Sequence, residues 1–332
     1  MLISGKLKDT LSVDIKKLIT KFRQLGGFTL LREYARIGAL HILVKEIVRI
    51  QRKGLPPKEI YPALERKVQP ILRKRYEKTM HGLIEKYSTV CLEQKRSDKI
   101  WFCWLQGMEN APLLVKACYE SQKRNLVRKK IELISYDTYG QFIELPDYIV
   151  KKHKQGKIPH PQFSDLIRLE LLIKYGGTWI DSTVLCTGNN FPEKVLDSDL
   201  FLFQYRDAQT NKIVGFSNWF ITSCTNNRVL LVLREMLYQY WRDYDCVIDY
   251  YIFHLFFSMI INECPEEMSK MLKNNNSVTL MLGKRITHKY DDVWMKKLTS
   301  ACAFHKLNYR IKPDNRNAEP TFYDKIIETY IV

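Results

Sequence analysis

Three side chains near the middle of the chain have types and spacing that suit chemistry: Asp165, Arg168 and Asp181. Asp165 and Arg168 stand three apart, which puts a carboxylate and a guanidinium on one face of a helix. Asp181 closes the stretch Thr178-Trp179-Ile180-Asp181, with Ser182, Thr183 and Val184 after it. A strand here has a period of two, so Trp179, Asp181 and Thr183 share a side. A carboxylate near the end of a buried strand is costly unless it is ion-paired, hydrogen-bonded or bound to a metal. That cost makes Asp181 the residue around which a function is sought, and it defines what the set can do: hold a charged or metal-bound ligand.

These residues need elements to position them. Ser164 is a good helix N-cap, and Asp165 then falls in the first turn, where a carboxylate is favoured. Leu169, Leu172 and Ile173 continue the helix as packing, and Gly176-Gly177 supplies a left-handed stop before the strand. Upstream, Ile100-Trp101-Phe102-Cys103-Trp104-Leu105 reads as a buried strand ending in a turn at Gln106-Gly107. Residues 111–126 read as a helix and Lys130 to Ser135 as a second strand, which opens an α/β sheet with parallel neighbours. Ligands of such sheets sit at the carboxyl ends of the strands, here Trp104 to Gly107 and Ser135 to Asp137. Downstream, 201–205 and 213–223 read as strands, the second carrying Asn218 and Trp219. Residues 227–242, 249–263 and 291–300 read as helices, and Phe304 to Arg310 follows.

Composition bounds the rest. A chain of 332 residues with 45% hydrophobic and 27% charged residues has enough apolar surface for a core, which excludes wholesale disorder. The net charge of +17 is uneven: residues 1–95 hold 21 basic and 9 acidic side chains. That segment reads as basic helices. Ile15, Leu18, Ile19 and Phe22 form one apolar stripe, and Ile37, Leu40, Val44, Ile47 and Val48 another. It shows no recognised nucleic-acid motif, so no nucleic acid is expected; plain solvated faces or attachment to an anionic membrane surface are the readings it suits. The eight cysteines contain no close pair, and Lys6, Lys8 and Asp9 interrupt any early apolar run. A reducing, cytoplasmic setting without a secretory leader is expected, with peripheral attachment at the inner membrane face. The longest uncharged run, Tyr250 to Asn262, is too short for a bilayer span of ~20 residues.

A strand of the form I-W-F-C-W-L-x-G, followed some way on by S-D-x-x-R-x-x-L-L-x-x-Y-G-G-x-W-x-D-x-T, resembles the bacterial capsular polysaccharide synthesis glycosyltransferases. These are relatives of yeast-type α-mannosyltransferases and, more distantly, of the glucosylating domains of large clostridial toxins. The resemblance covers residues 97–312. It implies an α/β fold of the GT-A type, with a mixed, mainly parallel sheet that binds a nucleotide-sugar. Here that domain would follow a helical region, 1–96, and precede a tail, 313–332.

The resemblance further implies a retaining transferase that moves a hexose or N-acetylhexosamine from a UDP-sugar or similar donor to a glycan. In this family the acceptor is polyprenyl-diphosphate linked. Trp104 would lie against the nucleotide base, with the backbone of Phe102 and Cys103 reading its edge. Asp165 and Arg168 would hold donor sugar and phosphate, and Asp181 would be the first aspartate of a D-x-D motif. Thr183 replaces the second aspartate, and a hydroxyl is a weak ligand for a hard cation, so use of Mn²⁺ or Mg²⁺ is left open. A metal would fall to Asp181 and His305, with His288 as the next histidine. Lys306, with Arg310, would stabilise the departing diphosphate. Asn218 would orient sugar hydroxyls, Trp219 would face a sugar ring, and Asp249 is a further acceptor candidate. The alternative is a non-catalytic sugar- or nucleotide-binding scaffold of a polysaccharide assembly complex.

Overall fold

The structure, a computed structural model, describes residues 27–311 and 319–331. The expected stripe from Ile15 to Phe22 lies outside these residues. Three helices come first: α1 (Gly27–Arg36), α2 (Leu40–Arg52) and α3 (Tyr61–Ser88). Then follow β1 (Lys99–Cys103), α4 (Leu113–Asn125), β2 (Lys130–Ile134), α5 (Tyr139–Phe142), α6 (Asp147–Lys154), α7 (His160–Tyr175), β3 (Gly177–Asp181) and β4 (Val184–Cys186). The second half runs β5 (Leu200–Arg206), β6 (Ile213–Ser223), α8 (Arg228–Asp243), α9 (Ile252–Asn262), α10 (Pro265–Lys270) and α11 (Met281–Arg285). It ends with α12 (Asp292–Ala301), β7 (Phe304–Lys306) and α13 (Phe322–Ile331).

The central sheet has the order β2-β1-β3-β6-β5. β1 is parallel to both β2 and β3, whereas β6 is antiparallel to β3 and to β5. Four strands therefore share one direction and β6 opposes them, the mixed, mainly parallel α/β sheet expected. Ile100, Trp101 and Phe102 are fully buried, as a central strand covered on both faces requires. Gly177 opens β3 at φ 91°, and a Cβ there would stand 2.4 Å from the carbonyl oxygen of Lys99. Only glycine fits, so the double glycine does more than stop α7: it lets β3 close on β1. β4 and β7 form a separate antiparallel ribbon with Leu185 opposite His305 and Val184 opposite Lys306.

The chain divides into two compact units. One holds residues 27–89, 146–163 and 232–260, all helical or loop. In it Glu33 is fully buried between Arg32 and Arg36, Tyr76 donates to Asp243 at 2.7 Å, and Tyr76, Tyr240 and Phe256 pack ring to ring. The other holds 90–145, 164–231, 261–311 and 319–331, with all seven strands. This differs from a division at residues 96 and 312: the helical unit recruits two later segments, and the expected tail forms α13, whose Phe322 and Ile326 are buried beside Leu114 and Leu185.

Two local expectations also shift. α7 begins at His160, so Ser164 is no N-cap and Asp165 lies in the second turn. Pro161 takes a first-turn position, where its missing N–H breaks no helix bond. In α2 the buried face is Leu43, Glu46, Ile47 and Ile50, while Leu40 and Val44 are exposed. Gly38 at φ 74° breaks the chain between Ile37 and Leu40, so the helical phase restarts there.

Candidate functional site

The part of α7 from Ser164 on, with β3, β6 and β7, converges at the carboxyl end of β3 within the sheet-bearing unit. α7 brings Asp165 and Arg168, three apart on one face as expected, with the Arg168 guanidinium 3.2 Å from Asp165 Oδ1 as an ion pair. The same guanidinium donates to Asp181 Oδ1 at 3.1 Å and to the backbone carbonyl of Asn218. It also stacks on the Trp179 ring, 4.7 Å from its centroid. Period two in β3 puts Trp179 beside Asp181, and its indole N–H donates to Asp181 Oδ1 at 2.8 Å. From β6, Asn218 Nδ2 donates to Asp165 Oδ1 at 3.0 Å. From β7, Lys306 Nζ donates to Asp181 Oδ2 at 2.8 Å and to Thr183 Oγ1 at 2.6 Å.

The two carboxylates differ because their surroundings do. Burial pushes the Asp165 pKa up to about 7, against the pull of Arg168. Burial also acts to raise Asp181, but Lys306 and Arg168 outweigh it and hold that carboxyl below the usual range. Arg168 is almost fully enclosed, at 4% side-chain exposure, whereas Asp181 and Lys306 each keep 24%. The layout is a buried guanidinium beneath a carboxylate and an ammonium that face solvent.

Trp104 follows Cys103, the register partner of Asp181, so it stands one step past the end of the adjacent parallel strand. Its ring meets Tyr309 edge to face at 5.3 Å, and its indole nitrogen has no partner among the described residues. Tyr309 was not singled out by sequence; an aromatic soon after Lys306 was the available signal. Trp179 was placed on the Asp181 side but given no part.

Several expected members are elsewhere. Phe102 is core, edge-on to Tyr119, and its backbone lies in register between Leu133 and Ile180. A strand with a neighbour on each side has its amides committed to the ladders, so Phe102 does not read a base edge. Cys103 is likewise in register on both sides, and burial pushes its thiol up to about 12. Trp219 is core as well, stacked on Phe203 at 4.8 Å, because strand neighbours point to opposite faces and Asn218 takes the site side. His305 is turned away from Asp181 by the same alternation, since Lys306 occupies the face toward it. It is fully buried, its Nε2 lies 3.1 Å from Thr187 Oγ1, and burial pushes its pKa down to about 4. His288 accepts the backbone N–H of Phe322 through its carbonyl and is not among the residues bonded to Asp181. Arg310 lies over the Tyr309 ring at 5.6 Å. Asp249 belongs to the helical unit, where it is buried, accepts from the N–H of Tyr251 at 2.9 Å and has its pKa raised by burial.

A divalent cation does not fit this donor set. Both oxygens of Asp181 and the hydroxyl of Thr183 already accept from cationic or indole donors. Among the described residues no group of three or more His, Cys, Asp or Glu side chains is placed to hold a metal ion.

Comparison with known proteins gives one broad match. The sequence model of a family described as "Capsular polysaccharide synthesis protein" matches residues 53–326. Among solved structures, the "PaToxG Glycosyltransferase" is similar at 17% identity and a TM-score of 0.38, covering 61% of this chain and 82% of that one. No curated protein matches the chain.

Proposed function

Since the chain belongs to the capsular polysaccharide synthesis protein family, we propose that it is a retaining glycosyltransferase of the GT-A type. It takes a hexose or N-acetylhexosamine from a nucleotide-diphosphate donor, a UDP-sugar first, and transfers it to a surface glycan. The observation that carries this reading is the single cluster of Asp165, Arg168, Asp181 and Lys306 at the carboxyl end of β3, with Trp104 and Tyr309 past the end of β1. Parallel α/β sheets bind ligands at this end. The aromatic pair suits a base, and the cations suit a diphosphate.

Transfer breaks the bond between the anomeric carbon and the phosphate oxygen, whose electron pair leaves with the diphosphate. The acceptor hydroxyl forms the new bond from the same face, and its proton passes to the departing phosphate oxygen. No enzyme nucleophile is required. Arg168 and Lys306 stabilise the charge that builds on the diphosphate, and fixed cations are most effective where little water competes. Asp165 and Asn218 orient sugar hydroxyls through the hydrogen bond that joins them. The acceptor is a glycan carried on a polyprenyl diphosphate at the cytoplasmic membrane face.

Incubating the protein with a panel of sugar nucleotides and measuring nucleotide release tests the reading. One donor is turned over, and Asp181→Asn lowers the rate by about a hundredfold or more, the scale for losing charge stabilisation at the reacting centre. Binding of donors with no turnover of any, in the presence of diverse glycan acceptors, identifies a scaffold instead.

A further inference from the structure

We propose that Lys306 takes the place of a divalent cation in the diphosphate site, so that this chain binds its donor without metal. The inference rests on the donor reading above. The Lys306 ammonium bridges the first and third positions of the Asp181-Ser182-Thr183 motif, at 2.8 Å from Asp181 Oδ2 and 2.6 Å from Thr183 Oγ1. In a motif with two aspartates both positions carry carboxylates, the ligands a hard cation prefers.

Charge balance explains why the two differences belong together. A divalent ion with two carboxylates sums to zero. With Arg168 left out, since it stands outside the motif, one ammonium with one carboxylate and one hydroxyl also sums to zero. Replacing the carboxylate by Thr183 therefore matches replacing the ion by Lys306; either change alone would shift the sum by one charge. The hydroxyl is a weak ligand for Mn²⁺ or Mg²⁺ but a good acceptor for an ammonium.

Geometry supports the exchange as well. An ammonium has three N–H donors. Two are used by Asp181 and Thr183, and at 24% side-chain exposure the third is open to a diphosphate oxygen. The backbone holds the lysine in place. Val184 pairs with Lys306 across the β4–β7 ribbon, and the N–H of Leu307 donates to the carbonyl of Thr183 at 2.8 Å. The motif and the lysine are thus tied by main chain and side chain together, although 123 residues apart in sequence. Arg168 lies on the other oxygen of Asp181, so the carboxylate holds two fixed cations for one ligand.

Titration of the purified protein with UDP, GDP, ADP and CDP, in EDTA and in Mn²⁺, tests the proposal by calorimetry and thermal shift. The wild type binds its preferred diphosphate with affinities that agree within about twofold between the two buffers. Lys306→Met keeps the aliphatic stem and weakens binding by about tenfold or more, the scale of a hydrogen bond to a charged group. Mn²⁺ does not restore it. Lys306→Ala combined with Thr183→Asp rebuilds the second carboxylate and binds only when Mn²⁺ is present. Wild-type binding that falls by about tenfold on chelation overturns the lysine's role and leaves the donor reading intact. That arm needs no variant to fold. Unchanged affinity in a folded Lys306→Met protein overturns it also. Absence of binding to all four diphosphates in both buffers overturns the donor reading, and this proposal with it.

Discussion

Asp165 and Asp181 share one guanidinium, yet burial holds the first neutral to about pH 7 while Lys306 keeps the second ionised. The sign for stability follows. Asp165 keeps its proton in the folded state to about pH 7, but loses it in the unfolded chain near the ordinary aspartate value of 3.8. The folded state therefore binds more protons between those values. Its stabilisation is fully present below the unfolded value and is lost as pH rises through about 7. Asp165→Asn removes the titration, so its melting temperature falls less than that of the wild type between about pH 5 and 8. Thermal melts of the two proteins across that range check this; parallel curves refute it. The cluster residues were legible because their spacing, three on a helix and two on a strand, is fixed by geometry. Trp219 and His305 were misread for one reason. Each was assigned to the same site as its strand neighbour, Asn218 or Lys306, and alternation admits only one of each pair.

At the scale of elements, the position of Lys306 depends on a helix that makes no hydrogen bond to the site. Gly283 lies in α11, and a Cβ there would stand 2.6 Å from the Lys306 carbonyl oxygen. That atom is backbone, so β7 has to move. Gly283→Ala is expected to cost about 1–3 kcal/mol, the range for overpacking a closed contact. It also lowers affinity for the nucleoside diphosphate, because the ammonium shifts with its strand. Gly82, inside α3 with open space where a Cβ would go, is the control. Gly82→Ala raises helix propensity and is expected to stabilise by about 1 kcal/mol. Melting and diphosphate titration of both variants separate a positioning role from plain loss of stability. An unchanged affinity in Gly283→Ala sinks the positioning role. Four of the five sheet strands were readable from apolar runs rich in aromatics, and β2 from the apolar residues of Ile131 to Ile134. β4 and β7 were not, because three residues are too few to show a period. α13 had a signal in the i, i+4 pair Phe322 and Ile326 that was available and not used.

For the whole molecule, sequence order was a poor guide to the units, since the helical unit takes segments 146–163 and 232–260 that nothing local marks as its own. The charge of that unit was readable, and the structure sharpens it. Three of its acids are held in internal pairs with more than one cation each. Glu33 holds Arg32 and Arg36, Glu46 holds Arg49 and Lys67, and Asp245 holds Arg32, Lys152 and Lys157. Pairing on these terms leaves the positive excess of residues 1–95 uncompensated, at 21 basic against 9 acidic side chains. Among the described residues no helix is long and apolar enough to cross a membrane. Each Lys or Arg close to an anionic leaflet contributes about 1 kcal/mol, and a few suffice to recruit a protein to such a surface. The full chain is expected to co-sediment with vesicles containing phosphatidylglycerol and not with phosphatidylcholine alone. Binding should weaken as salt rises, because the Debye length shrinks from about 10 Å at 0.1 M to about 3 Å at 1 M. Co-sedimentation indifferent to both anionic lipid and salt removes the membrane from the account of the basic region and leaves its charge to an acidic macromolecular partner.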